Sequence, residues 1–407
     1  MRSVRLMVIS HSCIESVNRS VYRLLATRHH KDLHLVIPSA LRVGAEDRAP
    51  STVTDEPFAV TLLESTGSHM RLQRLKGLEA LIRETTPTHI LVEADAATLL
   101  MRDVARAAKP VSAQVWSLTA ENLKRRYLRE GLDGLRSGRL TAGVGGLMSW
   151  WLWKSSRRDI GQVFVLSEDG VRAMSGLGFE GRVTKIPLGF DPELFRPQSR
   201  EAIVATRSRL GLGSKTIAYF GRLTREKGVG LLLEALGMLK DLEWQFLIDQ
   251  FATYRTPYAA ELQGQIDALG LKERVVYFDA VHSEMPNFMN AADIVVLPSV
   301  STAKWKEQYG RVIPEAMACG KVVIGSDSGA IPELIGDAGF TFPEGDVKAL
   351  AELLRYVLGA EETELESFRT RAAERSHSLL SIIPQAAIWN QMLEMRNGTE
   401  DIPSAAS

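Results

Sequence analysis

Residues 216–239 read TIAYFGRLTREKGVGLLLEALGML, a buried strand, a short basic loop and an apolar helix in succession. The strand is predicted at 216–220 and the helix at 229–239, because a short β-rich apolar run is followed by a glycine-bounded turn and a longer helical run. Gly221, at the carboxyl end of the strand, lets the backbone approach a ligand closely. This arrangement is typical of parallel α/β domains.

The same alternation of strand and helix runs along the whole chain. A first series of strands is predicted at 6–9, 33–37, 58–63, 89–93, 113–118, 162–166 and 183–186. A second series is predicted at 216–220, 244–248, 275–278, 294–297, 322–325 and 340–342. Three prolines and a glycine between the two series, at 187–197, favour an extended linker. The fold class is therefore α/β with two doubly wound, Rossmann-like domains.

Size and composition agree with two ordinary globular domains. The chain has 407 residues, of which 45% are hydrophobic and 24% charged, so it can bury two cores. Lys plus Arg equals Asp plus Glu, at 49 each, which leaves no net field to attract nucleic acid. Cys13 and Cys319 have no metal or redox spacing and are predicted to be free thiols. The first apolar run is too short for a signal peptide, and none reaches about 18 residues, so a cytoplasmic protein is expected.

Two glutamates eight residues apart, Glu307 and Glu315, enclose Gly310 and Pro314. Because proline prefers the first turn of a helix, a helix is predicted to begin between Val312 and Pro314. One carboxylate then lies on a loop and the other in the helix start, where free N–H groups favour phosphate. The segment predicts a nucleotide-sugar site.

The basic loop offers a partner for such a ligand. Arg222 and Lys227 can neutralise a diphosphate. The alternative is a surface loop whose charges are merely solvated, and it is disfavoured because the glutamate segment also follows a strand of the same domain. A G-x-G-x-x-G match at 176–181 follows a helix and precedes a strand. This context is the reverse of the dinucleotide fingerprint, which argues against an NAD-dependent oxidoreductase.

These residues resemble the retaining nucleotide-sugar glycosyltransferases of family 4, also called group 1, which have the GT-B fold. The strongest stretch is 221–346, with Pro298-Ser299, the two spaced glutamates and the segment 325–333. The linker at 187–197 is similar to the interdomain segment of the family. The resemblance implies two Rossmann-like domains that face a central cleft, with a C-terminal helix that packs back on the first domain.

The implied domains are an acceptor-side domain at 1–187, a donor domain at 188–382, a crossover helix at 383–397 and a tail at 398–407. The resemblance further implies that Arg222 and Lys227 hold the donor diphosphate, while Glu307 contacts the transferred sugar and Glu315 the ribose. Further donor contacts are implied for Gly221, Tyr309, Gly310, Arg311 and Val312. The base would lie against 277–281, which includes Phe278. Ala280 replaces a common glycine there, which leaves the base open.

Two regions depart from the family pattern. Many relatives carry a histidine after a strand of the first domain, where this chain has Glu121 and Asn122. These two residues contact the donor sugar or the acceptor, or else residues 119–122 cap the following helix. Asp249 stands where a glycine-rich turn is common, at 247–251. It meets the donor or the interdomain cleft, or it is an ordinary strand-end residue.

The loop after the first strand holds two further acceptor candidates, His11 and Arg19. Ligands of doubly wound sheets bind at the carboxyl ends of strands, which is where this loop begins. The alternative is that both residues cap helices.

Residues 122–158 combine nine Lys or Arg with two acids and with Trp150, Trp151 and Trp153. Basic residues beside clustered tryptophans suit peripheral contact with an anionic membrane, on the inner face of the cell membrane in this case. The alternative is that the tryptophans pack under the first domain. No stacking platform accompanies the charge, so nucleic acid is not expected.

The predicted activity is that of a hexosyltransferase-type glycosyltransferase that moves a sugar from a nucleotide-diphosphate sugar to a glycan or lipid-linked acceptor. Cell-surface polysaccharide biosynthesis is the pathway class that the resemblance implies. No D-x-D pair is present to bind a metal-diphosphate complex. The reaction is therefore predicted to need no metal and no cofactor beyond its nucleotide sugar. The alternative is a catalytically silent GT-B protein that binds nucleotide sugar.

Overall fold

The computed structural model describes residues 4–43, 46–67, 70–249, 256–279 and 284–395. The chain divides into two compact units, Met1–Ile186 with Ile382–Ser407, and Pro187–Ser381. The passage from the first unit to the second falls at the start of the predicted linker. The tail predicted at 398–407 lies outside the described residues.

The first unit is built on a parallel sheet. The strands of this unit are β1 (Arg5–Ile9), β2 (Asp32–Pro38), β3 (Leu41–Val43), β4 (Glu46–Arg48), β5 (Ala59–Leu63), β6 (Ser65–Thr66), β7 (Arg74–Leu75), β8 (His89–Val92), β9 (Gln114–Thr119), β10 (Ile160–Val165) and β11 (Val183–Lys185). Seven of them form one sheet in the order β11-β10-β9-β8-β1-β2-β5. The central strand reads RLMVI and is buried from Leu6 onward, as expected for a parallel strand covered on both faces. The order of strands reverses between β1 and β8.

Six helices of the first unit precede the linker: α1 (Ser20–Thr27), α2 (Leu78–Thr85), α3 (Leu99–Ala108), α4 (Tyr127–Arg136), α5 (Leu140–Ser156) and α6 (Glu168–Met174). Thr98 begins α3 with a side chain that accepts a hydrogen bond from Met101 N, and Ser167 caps α6 in the same way.

The second unit contains a six-stranded parallel sheet. Its strands are β12 (Thr216–Tyr219), β13 (Gln245–Asp249), β14 (Val275–Phe278), β15 (Ile294–Leu297), β16 (Val322–Ser326) and β17 (Phe340–Phe342). Its helices are α7 (Arg200–Leu210), α8 (Val229–Gly237), α9 (Pro257–Ala268), α10 (Met285–Ala291), α11 (Val312–Ala318), α12 (Ile331–Ile335), α13 (Val347–Gly359) and α14 (Glu362–Arg375). The strand order is β14-β13-β12-β15-β16-β17, so it reverses between β12 and β15.

The last helix, α15 (Ile382–Glu394), returns to the first unit. Trp389 of this helix stacks on Tyr22 of α1, with the ring centroids 5.5 Å apart. Lys31 Nζ lies 2.9 Å from Glu394 Oε1 at the exposed end of the same contact. The predicted packing of a C-terminal helix on the first domain is confirmed.

Every strand predicted from the sequence is present, and the bounds agree within two residues. The structure adds two short antiparallel pairs, β3 with β4 and β6 with β7. Strands of two or three residues are too short to show an alternating pattern, so they cannot be predicted from the hydrophobic periodicity.

Candidate functional site

The candidate site lies at the reversal of strand order in the second unit. Loops 221–228 and 298–311 follow β12 and β15, which are neighbours in the sheet. In open α/β sheets, the crevice outside the carboxyl ends of two such strands is where ligands bind. The topology therefore brings together two segments that are about 80 residues apart in the chain.

The backbones of these two loops are in direct contact. Gly228 has φ +70°, and a Cβ at this position would lie 1.9 Å from Pro298 O. Val300 N donates a hydrogen bond of 2.8 Å to Glu226 O beside it. Only glycine fits such an approach, so the relative position of the two loops is set by their main chains.

Lys227 and Glu307 form an ion pair at this point. Lys227 Nζ lies 2.6 Å from Glu307 Oε2, and the side chains are only 12% and 6% exposed. Ser299 Oγ donates a hydrogen bond of 2.7 Å to the same carboxylate oxygen. Trp305 covers the pair, with Lys227 Nζ 5.2 Å from the centre of its ring. Lys227, which is predicted to bind the diphosphate, and Glu307, which is predicted to contact the sugar, are therefore adjacent and hold each other in place.

Arg222 lies on the same loop as Lys227, but its side chain is neither buried nor paired with a described residue. Its side chain is exposed, and the guanidinium forms no ion pair with any residue that the structure describes. Tyr219 Oη donates a hydrogen bond of 2.8 Å to the main-chain oxygen of Arg222, which holds the loop close to the end of β12. Arg222 is thus a cation free to meet an anionic ligand.

The helix that follows Glu307 begins at Val312, as predicted, and Glu315 lies in its first turn. Glu315 is buried, and burial raises the pKa of its carboxyl group to about 7, although Arg311 acts in the opposite direction. Arg311 Nε is 2.8 Å from Glu315 Oε1, so the guanidinium is the charged partner of this buried carboxyl group.

Two glycines shape the loop that carries Glu307. Gly310 has φ +82° next to the buried Tyr309. Gly329 has φ +56°, and a Cβ there would lie 2.0 Å from Glu307 O. Ala330 N donates to Glu307 O at 3.2 Å. The segment before α12 thus supports the main chain of Glu307 from behind.

The predicted base contact falls on β14 and the residues after it. Phe278 is 2% exposed and stacks on Phe288, with a centroid distance of 4.7 Å, and it also contacts Phe220. The Phe278 ring therefore belongs to the core, and only the main chain of this strand end is left to contact a base. Ala280 and Val281 lie outside the described residues. Asp249 ends β13 and pairs in register with Phe278, and its role stays a prediction.

In the first unit, Arg19 is fully buried. Its guanidinium lies 3.0 Å from Glu56 Oε1. It also donates to the carbonyl oxygens of four residues, Cys13, Ile14, Ser51 and Thr52. All of these partners hold a loop in place, so the geometry gives Arg19 a structural role instead of the predicted contact with acceptor. The Arg19 side chain makes no N-cap hydrogen bond to α1, but its bonds to Cys13 O and Ile14 O cap the end of the short helix Ser12–Ile14, in agreement with the capping alternative.

His11 is half-buried at the end of β1, and burial lowers the pKa of its imidazole. It makes no side-chain cap hydrogen bond to the short helix after it. A side-chain hydrogen bond with Gln73 acts against this lowering of the pKa. The contact of His11 with acceptor stays a prediction.

Glu121 and Asn122 follow β9. Thr119 Oγ1 donates to Asp95 and accepts a hydrogen bond of 3.0 Å from Glu121 N, which ties Glu121 to the loop after β8. Burial raises the pKa of the Glu121 carboxyl, and the charge of Asp95 adds to the rise. Asn122 is buried. Helix α4 begins only at Tyr127, so the helix-capping alternative is wrong.

Sequence reasoning missed Glu93, which was assigned to the end of a strand. Its carboxylate accepts hydrogen bonds from Ser10 Oγ at 2.5 Å, Ser12 Oγ at 2.7 Å and Tyr22 Oη at 2.5 Å. The cluster lies at the reversal of strand order between β1 and β8, which is the ligand-binding position of such sheets. The available signal was an acid placed directly after a buried apolar run.

Cys13 and Cys319 are both buried and unpaired, as predicted. Across the part of the chain that the structure describes, no three His, Cys, Asp or Glu side chains gather in a group that could hold a metal ion.

Comparisons with known proteins agree with this geometry. Residues 205–375 match the family model described as glycosyl transferases group 1. The chain is 28% identical over 229 residues to a D-inositol 3-phosphate glycosyltransferase of Corynebacterium glutamicum (strain R), covering 52% of this chain and 54% of the relative. It is 31% identical over 177 residues to the amylovoran biosynthesis glycosyltransferase AmsK of Erwinia amylovora, covering 41% and 40%. The chain thus spans about half the length of the curated relatives that it matches.

Solved structures resemble the chain over nearly its full length. HepE from Anabaena, in complex with UDP, has a TM-score of 0.72 at 20% identity, covering 96% of this chain and 99% of that one. A glycosyltransferase from Rickettsia africae ESF-5 has a TM-score of 0.72 at 15% identity, covering 97% and 98%. At these identities the likeness concerns the fold, and the predicted GT-B fold is confirmed.

Proposed function

We propose that this protein, which resembles the group 1 glycosyltransferases, transfers a sugar from a nucleotide-diphosphate sugar to a glycan or lipid-linked acceptor. The observation that carries the proposal is the buried pair of Lys227 and Glu307, with the exposed Arg222 on the same loop as Lys227, at the reversal of strand order in the second unit. Two cations next to a carboxylate suit a ligand that joins a diphosphate to a hydroxyl-rich sugar.

In the proposed reaction, the bond between the anomeric carbon of the sugar and the terminal phosphate oxygen breaks while the acceptor hydroxyl bonds to the same carbon. The proton of that hydroxyl passes to a phosphate oxygen of the leaving diphosphate. Attack from the face that the diphosphate leaves would retain the configuration of the sugar. This stereochemical course rests on the family resemblance of the donor unit.

Charge on the leaving diphosphate is the main barrier that the protein must lower. Arg222 would bind the diphosphate directly, and Lys227, already fixed by Glu307, would add a second positive charge without reorganisation during the reaction. We propose that these side chains, with the amides at the start of α11, supply this charge without a metal ion. Glu307 would orient the transferred sugar, and Glu315 would accept a hydrogen bond from the ribose.

The acceptor is proposed from the relatives. AmsK is named for amylovoran biosynthesis, and LpsB of Rhizobium meliloti is named as a lipopolysaccharide core mannosyltransferase. On this basis we propose that the protein acts in cell-surface polysaccharide biosynthesis, in the cytoplasm and at the inner face of the membrane. Glu121 and Asn122 at the end of β9, with His11 at the end of β1, are the proposed contacts to acceptor or sugar.

A catalytically silent protein with the same fold is the second candidate. It would bind nucleotide sugar without transferring it. Thermal shifts with UDP, GDP, ADP and their sugars identify the donor, because a ligand of the folded state raises the melting temperature. Transfer is then tested with the stabilising donor and a membrane lipid extract. Binding without release of nucleoside diphosphate would favour the silent protein, and the absence of any shift would contradict both functions.

A further inference from the structure

Helices α4 and α5 form a hairpin whose backbones are in contact. Tyr127, Gly131 and Gly134 are the buried stripe of α4, spaced by four and three residues. A Cβ at Gly134 would lie 2.6 Å from Gly143 N, and one at Gly146 would lie 2.6 Å from the Cα atom of Gly131. Small residues therefore bring the two helices together, and the hairpin is rigid.

The next stripe of α4, one residue along, is apolar and yet exposed. Leu128, Leu132 and Leu135 have the same spacing as the packed stripe and are 40%, 39% and 36% exposed. A leucine stripe at this spacing normally faces a core, whereas here more than a third of the surface of each of these leucines is open to solvent.

Helix α5 continues this exposed apolar surface. Its sequence, LTAGVGGLMSWWLWKSS, is apolar around its whole circumference, which is typical of a helix that is buried in protein or in lipid. Leu140, Val144 and Trp151 are nevertheless 67%, 60% and 47% exposed. No helix among the described residues is both long and apolar enough to cross a bilayer.

A cleft of about 500 Å³ opens beside the hairpin. Its apolar lining residues are Leu128, Leu132, Trp150, Trp153 and Leu177. Trp150 and Trp153 also pack against the core of the unit, so the predicted alternative of buried tryptophans holds in part for these two. The indole N–H of Trp153 is buried and has no acceptor among the described residues. The cleft also has charged lining residues, Arg125, Arg126, Arg129, Asp133 and Arg136, so apolar and basic groups meet in it.

Arginines surround this apolar surface. Residues 124–139 contain six Lys or Arg and two acids. Arg129 and Arg136 approach Asp133 only to 3.6 and 3.8 Å, and their side chains are 70% and 79% exposed. Arg126, on the rim of the cleft, forms no ion pair with a described residue. The positive charge is therefore available to anions in the surroundings.

We propose that the α4–α5 hairpin docks on an anionic phospholipid bilayer, with an acyl chain in the cleft and the surrounding arginines on the phosphate groups. Exposed leucine and tryptophan side chains beside basic residues that outnumber the neighbouring acids complement such a surface, since apolar groups enter the acyl boundary while cations remain at the headgroups. A protein partner would have to bury these arginines, and the observed charge favours the lipid phosphates. This inference rests on the membrane location in the proposed function and deepens it, but it does not require transferase activity.

The test is sedimentation of the purified protein with vesicles of phosphatidylcholine, alone or mixed equally with phosphatidylglycerol. We expect binding to the anionic vesicles and little to the neutral ones. The variants Leu128→Gln/Leu132→Gln and Arg129→Gln/Arg136→Gln should each weaken the partition coefficient by about tenfold or more. Melting temperatures of all variants verify that they fold.

Matched controls remove the same groups elsewhere. Leu62→Gln/Val204→Gln removes two exposed apolar side chains, 44% and 53% exposed, and should bind as the wild type does. Arg83→Gln/Arg172→Gln removes two exposed arginines of the first unit that each pair with an acid, as Arg129 and Arg136 do. If the control variants lose as much vesicle binding as the hairpin variants, binding depends only on overall charge or hydrophobicity. That result would overturn the proposal.

Occupation of the cleft is tested separately with phospholipids that carry brominated acyl chains. They should quench tryptophan fluorescence of the wild type, and quenching should fall clearly in a Trp150→Phe/Trp153→Phe variant that still sediments. Absence of sedimentation with anionic vesicles would refute the docking itself. Sedimentation that survives the leucine substitutions would show purely electrostatic adsorption and refute the role of the cleft.

Discussion

Lys227 Nζ and Glu307 Oε2 lie 2.6 Å apart across two loops that meet only because β12 and β15 are adjacent. Both side chains are almost buried, and Ser299 Oγ donates to the same carboxylate oxygen. A buried pair of this kind is costly to break because each partner neutralises the other. The ion pair therefore holds Lys227, the residue predicted to bind phosphate, and Glu307, the residue predicted to contact the sugar, in place before any substrate binds.

Removing one partner of this pair should destabilise the second unit more than removing both. Lys227→Met leaves the Glu307 carboxylate buried without its cation, at a cost of about 3 kcal/mol. Lys227→Met/Glu307→Gln should recover part of this loss, with a coupling energy of at least about 1 kcal/mol. Denaturant unfolding of the wild type, both single variants and the double variant measures it. Additive losses would mean that the two groups do not interact energetically.

Arg222→Ala should lower turnover by about a hundredfold and abolish the thermal shift with nucleoside diphosphate. The reason is that the exposed guanidinium is proposed to stabilise the negative charge that develops on the leaving diphosphate. The melting temperature without ligand should not change. Arg225→Ala is the matched control, since Arg225 lies on the same loop but pairs with Glu261 at the surface. Turnover equal to that of the wild type in Arg222→Ala would remove this residue from the site.

Glu315 should make the second unit less stable as pH rises. Its pKa is about 7 in the folded chain against 4.5 for an ordinary glutamate, so folding favours the protonated form. The corresponding contribution is complete below pH 4.5 and is lost as pH rises through about 7, by up to about 3 kcal/mol.

Glu315→Gln should therefore lose this pH dependence. The measurement is the free energy of unfolding at about pH 5 and about pH 7.5. Glu352→Gln, at an exposed position of α13, should keep the dependence of the wild type. Parallel pH profiles of Glu315→Gln and the wild type would show that the carboxyl titrates normally.

Gly228→Ala should separate the two loops of the candidate site. The added Cβ would lie 1.9 Å from Pro298 O, so the main chain must move, and we expect a loss of stability of about 2 kcal/mol or more together with weaker donor binding. Gly211→Ala is a close control, because Gly211 has φ +68° with nothing within 4 Å of its Cβ. It should cost about 1 kcal/mol and leave donor binding intact. Equal effects at both positions would show that the contact with Pro298 does not matter.

Glu121→Gln should raise the KM for acceptor or lower turnover by about tenfold or more, if its carboxyl contacts acceptor or sugar. The substitution keeps the shape of the side chain and removes only its ability to ionise. Glu130→Gln tests whether an effect passes through Arg125, which approaches both glutamates. Unchanged kinetics in Glu121→Gln would mean that Glu121 only stabilises the local turn after β9.

Much of the fold could be predicted because its signals are local. The strand at 275–278 was recognised from one apolar, β-rich run, and its bounds agree with β14. The start of α11 followed from Pro314, which can occupy only the first turn of a helix. The acceptor contact predicted for Arg19 is wrong because the sequence shows only a basic residue in the loop after the first strand, whereas the structure surrounds it with main-chain carbonyls of residues up to 33 positions away.

The sequence by itself determined the two series of parallel strands, the basic loop after β12 and the helix start that carries Glu315, because backbone preference and hydrophobic pattern act over a few residues. Only the tertiary structure decided that Lys227 is paired, that Arg222 is exposed and that the Glu315 carboxyl is buried enough to titrate near neutral pH. These properties depend on strand order and on burial. Both arise from contacts between distant segments, and a local pattern of residues does not contain them.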